Sequence, residues 1–243
     1  MVAGPFGLEV ALSLARQGVS FRIIGKYIPI HEFYTKPPFP HMVDERETEK
    51  VLKKTDKAEG PCHSGRADAI QPRSLEYLRA WGLVDEVLGE GPLLNKTVLY
   101  RNGVKLFHNH SSMCDSRYRG ISTVTQGQVE KIYVRDLKRH GVFVERCSTV
   151  SEFDVRKEEV GDGGGGSSKR SSESSHPVAA RVTNAKTGRD EVVRAKYLVG
   201  ADGAASKIRE MMGVPFDGLA TDCFWTIMDV EVKTDYPHIL DFG

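Results

Sequence analysis

Residues 2–7 read Val-Ala-Gly-Pro-Phe-Gly and run straight into "LEVALSLARQG". Gly4 and Gly7 keep two of the three glycines of the pattern G-x-G-x-x-G, with Val2 at the first position. In that pattern the first glycine makes a tight strand-to-helix turn. The second lets the backbone approach a pyrophosphate, and the third lets helix and strand pack closely. The N-terminus of the helix that follows adds free N–H groups and the positive end of its dipole. Leu8, Ala11, Leu12 and Ala15 stand at i, i+3, i+4 and i+7, which predicts a helix with one apolar face. Gly18 sits where a left-handed residue ends such a helix. "VSFRII", residues 19–24, is β-branched and aromatic and predicts a strand directly after it. Helix and strand follow one another as in a βαβ unit. Two parts of the pattern are missing: the strand before the turn and the first glycine. A third is replaced, because the ribose-binding acid expected about 20 residues on is Gly25, followed by Lys26.

Composition narrows the function classes. The chain has 243 residues, 40% of them hydrophobic, and a net charge of +1. That length supports a real core, and that charge gives no general pull toward nucleic acid or acidic membranes. Cys62, Cys114, Cys147 and Cys223 are widely spaced without a C-x-x-C, which suits free thiols in a reducing compartment. No apolar run reaches membrane-spanning length and the N-terminus lacks a signal-peptide pattern, so a soluble, cytoplasmic protein is expected.

Further along, residues 27–64 carry early prolines and then a dense charge run, and read as an irregular excursion. Order resumes at "GRADAIQPRSLEYLRAWGL". Pro72 suits the first helical position, Leu75, Leu78 and Trp81 form a buried side, and Gly82 closes the helix. "QGQVEKIYVRDLKRHG" repeats the logic with Val129, Ile132, Tyr133 and Leu137 before Gly141, and "VFVE" starts a strand. Residues 161–175 are Gly/Ser-rich and read as a flexible loop. "PVAARVTNAKTGRDEVVRA" alternates about a Gly-containing turn, a β-hairpin. "KYLVGADG" reads as a buried strand ending in a glycine turn, "SKIREMMG" as a short helix, and "CFWTIMDVEVKTD" as the start of another sheet. His108, His110 and Cys114 lie in a polar stretch without clustered partners, and no metal site is expected.

The glycine turn, "GRADAIQPRSLEYLRAWGL", "TQGQVE" and "YLVGADGAASKIREMMGVPFDG" occur in one order and at sensible spacings. Together they resemble FAD-dependent aromatic-ring monooxygenases of the phenol 2-monooxygenase type. The resemblance covers nearly all of the chain outside residues 27–64 and the Gly/Ser loop. It implies an α/β, Rossmann-like FAD-binding domain over residues 1–222, with 27–64 as an insertion. Residues 223–243 would begin a β-rich substrate-binding sheet.

The resemblance also implies chemistry. FAD is the cofactor and NADPH the reductant. Oxygen added at flavin C4a is delivered to a phenolic ring, and the protein supplies position and electrostatics. Gly4 and Gly7 would lie against the FAD pyrophosphate, Arg66 and Ala67 beside the flavin, and Gln126 on the cofactor. Asp202 and Gly203 would sit near the pyrophosphate. Asp68 would face the substrate and help deprotonate the phenol, work that suits a carboxylate whose pKa burial has raised. The expected partners are a small aromatic substrate and O2, with no nucleic acid and no membrane, and a homodimer as the candidate assembly. Against the family, a late "GD" turn and most of the substrate domain are also missing. The alternative is therefore a truncated, inactive fragment or an interaction module without bound flavin.

Overall fold

The computed structural model describes residues 4–25, 68–110, 114–156, 176–219, 221–223 and 233–235. The expectations for residues 27–64, for 161–175 and for most of "CFWTIMDVEVKTD" lie outside the described residues. The chain divides into two compact units, one of Met1–Glu59 with Asp136–Leu219 and one of Gly60–Arg135 with Ala220–Gly243.

In the first unit, helix α1 (Pro5–Arg16) follows Gly4, and Leu8, Ala11 and Leu12 are its buried face. Its end is set by Gly18 at φ 66°, with the Gly18 and Val19 N–H groups bonded back to Ala15 and Leu14. Strand β1 (Ile23–Gly25) comes next and is shorter than the expected 19–24, because Val19 is exposed and only Ile23 onward finds a partner. That partner is β7 (Val144–Arg146), parallel, with Ile23 opposite Val144 and Gly25 opposite Arg146. The parallel pairing agrees with the expected α/β fold. A second sheet is antiparallel, in the order β10-β9-β8, from β8 (Ser148–Val155), β9 (Val178–Asn184) and β10 (Arg189–Ala195). β9 and β10 are the hairpin that the sequence predicts. Arg22 ties the two sheets at their surface: its guanidinium donates to both Glu145 oxygens at 2.7 and 2.6 Å and to Glu191 at 2.6 Å.

One expectation fails in this unit. "KYLVGADG" does not form a buried strand. Residues 196–203 have no ladder partner, and Tyr197 is 85% exposed. A strand exists only through its neighbour, and no described strand pairs with this run. The short helix α5 (Lys207–Met211) follows as expected.

In the second unit, β2 (Ala69–Ile70) and β3 (Leu93–Leu94) flank β6 (Ile121–Thr123) in an antiparallel sheet. Helix α2 (Pro72–Ala80) begins on Pro72 as predicted and buries Leu75 and Leu78; Trp81, at its C-cap, is only half-buried. Helix α3 (Val84–Glu90) buries Val84 and Val87. Strands β4 (Lys96–Arg101) and β5 (Val104–His110) form a hairpin about Asn102 and Gly103, at φ 51° and 77°. Helix α4 (Gln126–Arg139) starts in this unit and ends in the first, with Val129, Ile132, Tyr133 and Leu137 all buried. Among the described residues no helix is long and apolar enough to cross a membrane.

Candidate cofactor site

Among the described residues no side chain closes the N-terminus of α1. Gly4 occupies the N-cap with extended backbone, φ −84° and ψ 178°, and no side chain caps the helix. Pro5 at the first position has no N–H to satisfy, which leaves the N–H groups of Phe6 and Gly7 at the helix mouth. Among the described residues, nothing lies within 4 Å of a Cβ added at Gly4. Gly7 is buried in the first turn. An uncapped helix mouth with free space beside its glycine fits a phosphate group, so the residues present suit the pyrophosphate of a dinucleotide.

Asp202 also lies in the first unit, but its carboxylate works locally. It accepts from Ser206 Oγ at 2.5 Å, Lys207 N at 2.6 Å and Ile208 N at 3.2 Å, and so caps α5. Burial pushes the Asp202 carboxyl up, but these hydrogen bonds outweigh it and hold the group below the ordinary carboxylate range. A depressed folded pKa stabilises above the unfolded value, and that contribution is lost as pH falls through the folded one. Asp202→Asn is therefore expected to melt below the parent at pH 7 and to converge on it as pH drops below about 4, read as melting temperature against pH. A gap that stays constant to pH 3 would contradict the assignment. Gly203 beside it has φ 82° and open space around its Cα. Arg209 turns inward on its own segment, donating to the Ala204 carbonyl and stacking 4.5 Å from the Phe216 ring.

In the second unit, Asp68 stands directly before β2 and is exposed; Arg66 and Ala67 lie outside the described residues. The Asp68 carbonyl accepts from Val124 N at 3.0 Å, which brings its backbone beside the strand leading into Gln126. Gln126 is the first residue of α4. Thr125 caps that helix, its Oγ1 accepting from Gln128 N at 3.4 Å. The Gln126 side chain is half-buried and donates through Nε2 to Glu130 Oε1 at 2.8 Å, and Glu130 is buried. Sequence reading took Gln126 and passed over Glu130, although the i, i+4 spacing was there to find.

Comparison with known proteins decides the family. Residues 2–163 and 166–241 match the profile of the FAD binding domain. The chain belongs to this family. An FAD-dependent monooxygenase of Aspergillus terreus is 53% identical over 241 residues, 99% of this chain and 28% of the relative. The phenol 2-monooxygenase fsqG of Aspergillus fumigatus is 31% identical over 183 residues, 74% of this chain and 28% of the relative. The chain thus spans 28% of the length of each of these curated relatives. Among solved structures, p-nitrophenol 4-monooxygenase PnpA from Pseudomonas putida superposes with a TM-score of 0.65 at 20% identity. It covers 90% of this chain and 43% of that one. The flavin-dependent monooxygenase PieE, solved with FAD and substrate, gives a TM-score of 0.62 at 21% identity, with 90% and 32% covered. The fold is that of the FAD-dependent aromatic hydroxylases, and FAD is the family's cofactor.

Proposed function

We propose that this FAD-binding chain serves a flavin-dependent monooxygenase that hydroxylates a phenolic ring, with NAD(P)H as reductant. The observation that carries the reading is the family match over nearly the whole chain, supported by an N-terminus of α1 that no described side chain caps or fills. Bound FAD would supply the oxygen-transfer chemistry. In this reading the Phe6 and Gly7 N–H groups hold the pyrophosphate, and Gly4 keeps the space clear for it. Asp202 shapes the turn at Gly203 by capping α5, and Gly203 leaves its backbone open to the cofactor. Gln126 binds the cofactor from the start of α4, and Arg66 and Ala67 lie beside the flavin. Asp68 takes the phenol proton, which makes the ring richer in electrons. Because Asp68 is exposed, that work requires the bound substrate itself to exclude water. Residues 1–222 would be the FAD-binding domain and 223–243 the beginning of the substrate sheet.

Purified chain titrated with FAD is expected to take up stoichiometric flavin and turn yellow; protein that stays colourless with excess FAD overturns the reading. Phenol-dependent NADPH oxidation should fall by about 100-fold or more in Asp68→Asn, the ordinary weight of a general base, while bound flavin stays in place. Loss of flavin in that variant would refute the role of Asp68. A second reading, the family fold without bound flavin, is favoured by Gly25, the last residue of β1, standing where the ribose acid is expected.

A further inference from the structure

We propose that Glu130 is a positioning residue which sets the Gln126 carboxamide so that it presents an acceptor, and not a donor, to the cofactor. The inference rests on the reading of Gln126 as a cofactor contact. Gln126 Nε2 donates to Glu130 Oε1 at 2.8 Å, one turn along α4. A carboxylate can only accept, so this bond fixes which end of the amide faces Glu130 and leaves Gln126 Oε1 for a ligand. An i, i+4 pair on an exposed helix face adds a few tenths of a kcal/mol to the helix. This pair is different, because Glu130 is only 4% exposed. Burying a carboxylate carries a desolvation cost that its hydrogen bonds must offset. The bond from a half-buried amide to a buried carboxylate holds the Gln126 side chain in one orientation.

The consequence is chemical. A group that meets Gln126 Oε1 must bring a hydrogen. In FAD that means a ribose or ribityl hydroxyl or a ring N–H, and it excludes the phosphate oxygens, which can only accept.

A reciprocal exchange tests this. Glu130→Gln keeps the shape but frees the Gln126 amide to turn either way. FAD affinity, read by quenching of flavin fluorescence on titration into the full chain, should fall about threefold to tenfold, the loss of one well-set hydrogen bond. The double variant Gln126→Glu/Glu130→Gln rebuilds the pair in reverse: Gln at 130 donates to Glu at 126, whose second oxygen still accepts. Affinity should return to within about threefold of the parent. A residue with only a structural role would leave affinity untouched in both variants once melting temperatures are matched, and that outcome overturns the proposal. If Gln126 instead donated to a phosphate, the double variant would bind more weakly than Glu130→Gln, because a carboxylate would face the anion; this also overturns it. In the ligand-free parent, the Gln126 side-chain amide should give one downfield, slowly exchanging proton by NMR that disappears in Glu130→Gln. A parent that binds no FAD while keeping this NMR signature would overturn the flavin reading, and the positioning role with it. A parent that binds FAD without the signature would overturn the positioning role alone.

Discussion

Asp136→Ala is expected to lower the unfolding free energy by about 3 kcal/mol, the low end of what breaking a buried ion pair costs. The Asp136 side chain is 7% exposed and accepts from Arg16 Nη2 at 2.7 Å, joining α1 to the last turns of α4. Arg139 Nη1 at 3.5 Å and His140 Nε2 at 3.8 Å stand around the same carboxylate. Alanine removes the Asp136 carboxylate from the Arg16 guanidinium. That guanidinium keeps 20% of its side-chain surface in water, so it recovers some hydration, which places the loss at the low end. For a chain of this length the change corresponds to a melting temperature lower by roughly 6–12 °C. Asp136→Asn, which keeps an acceptor but no charge, should fall between parent and alanine. The expectation fails if alanine costs less than about 1 kcal/mol, which would mean that the pair behaves as a solvent-screened surface bridge.

The ion pair was invisible in the sequence, because Arg16 and Asp136 are 120 residues apart and nothing local connects them. What the sequence does carry is local punctuation. α1, α2 and α4 were legible because an apolar period of 3.6 runs into a glycine at 18, 82 and 141, each with positive φ in the structure. Elements whose faces are not sorted were harder to read. The β4–β5 hairpin escaped although Asn102-Gly103 is the strongest short hairpin signal. Its strands expose Leu99, Leu106 and Phe107 and carry a bulge between Leu99 and Tyr100, which breaks the alternation. β8 escaped because Cys147, at φ 58°, separates it from β7 with no glycine to mark the break. The "KYLVGADG" run errs the other way: its composition is that of a buried strand, but composition cannot supply the neighbour that makes one. In the candidate site the same split holds. Gln126 and Asp202 could be picked out as residue types in a motif. The partners that turn their side chains, Glu130 and Ser206, depend on burial and capping geometry, which spacing alone leaves open.

Gly4→Val is expected to weaken FAD binding on the order of a hundredfold, about 2.8 kcal/mol at 1.4 kcal/mol per tenfold, with stability changed by less than about 0.5 kcal/mol. The two halves of this expectation rest on separate observations. Gly4 has φ −84° and ψ 178°, extended backbone that any residue adopts, so a side chain there is not strained. A Cβ at Gly4 would also meet no atom of the described residues within 4 Å. The described residues therefore give no reason for glycine at this position. In the proposed reading a ligand does, since a branched side chain would fill the space through which a pyrophosphate approaches the Phe6 and Gly7 N–H groups. Gly18→Val is the matching control. It too would meet nothing within 4 Å, but Gly18 has φ 66°, so valine there is strained and should cost about 1–2 kcal/mol of stability without touching FAD affinity. Flavin titrations and thermal melts on the two variants thus give opposite patterns. If Gly4→Val binds FAD as the parent does, the mouth of α1 is not where the pyrophosphate sits.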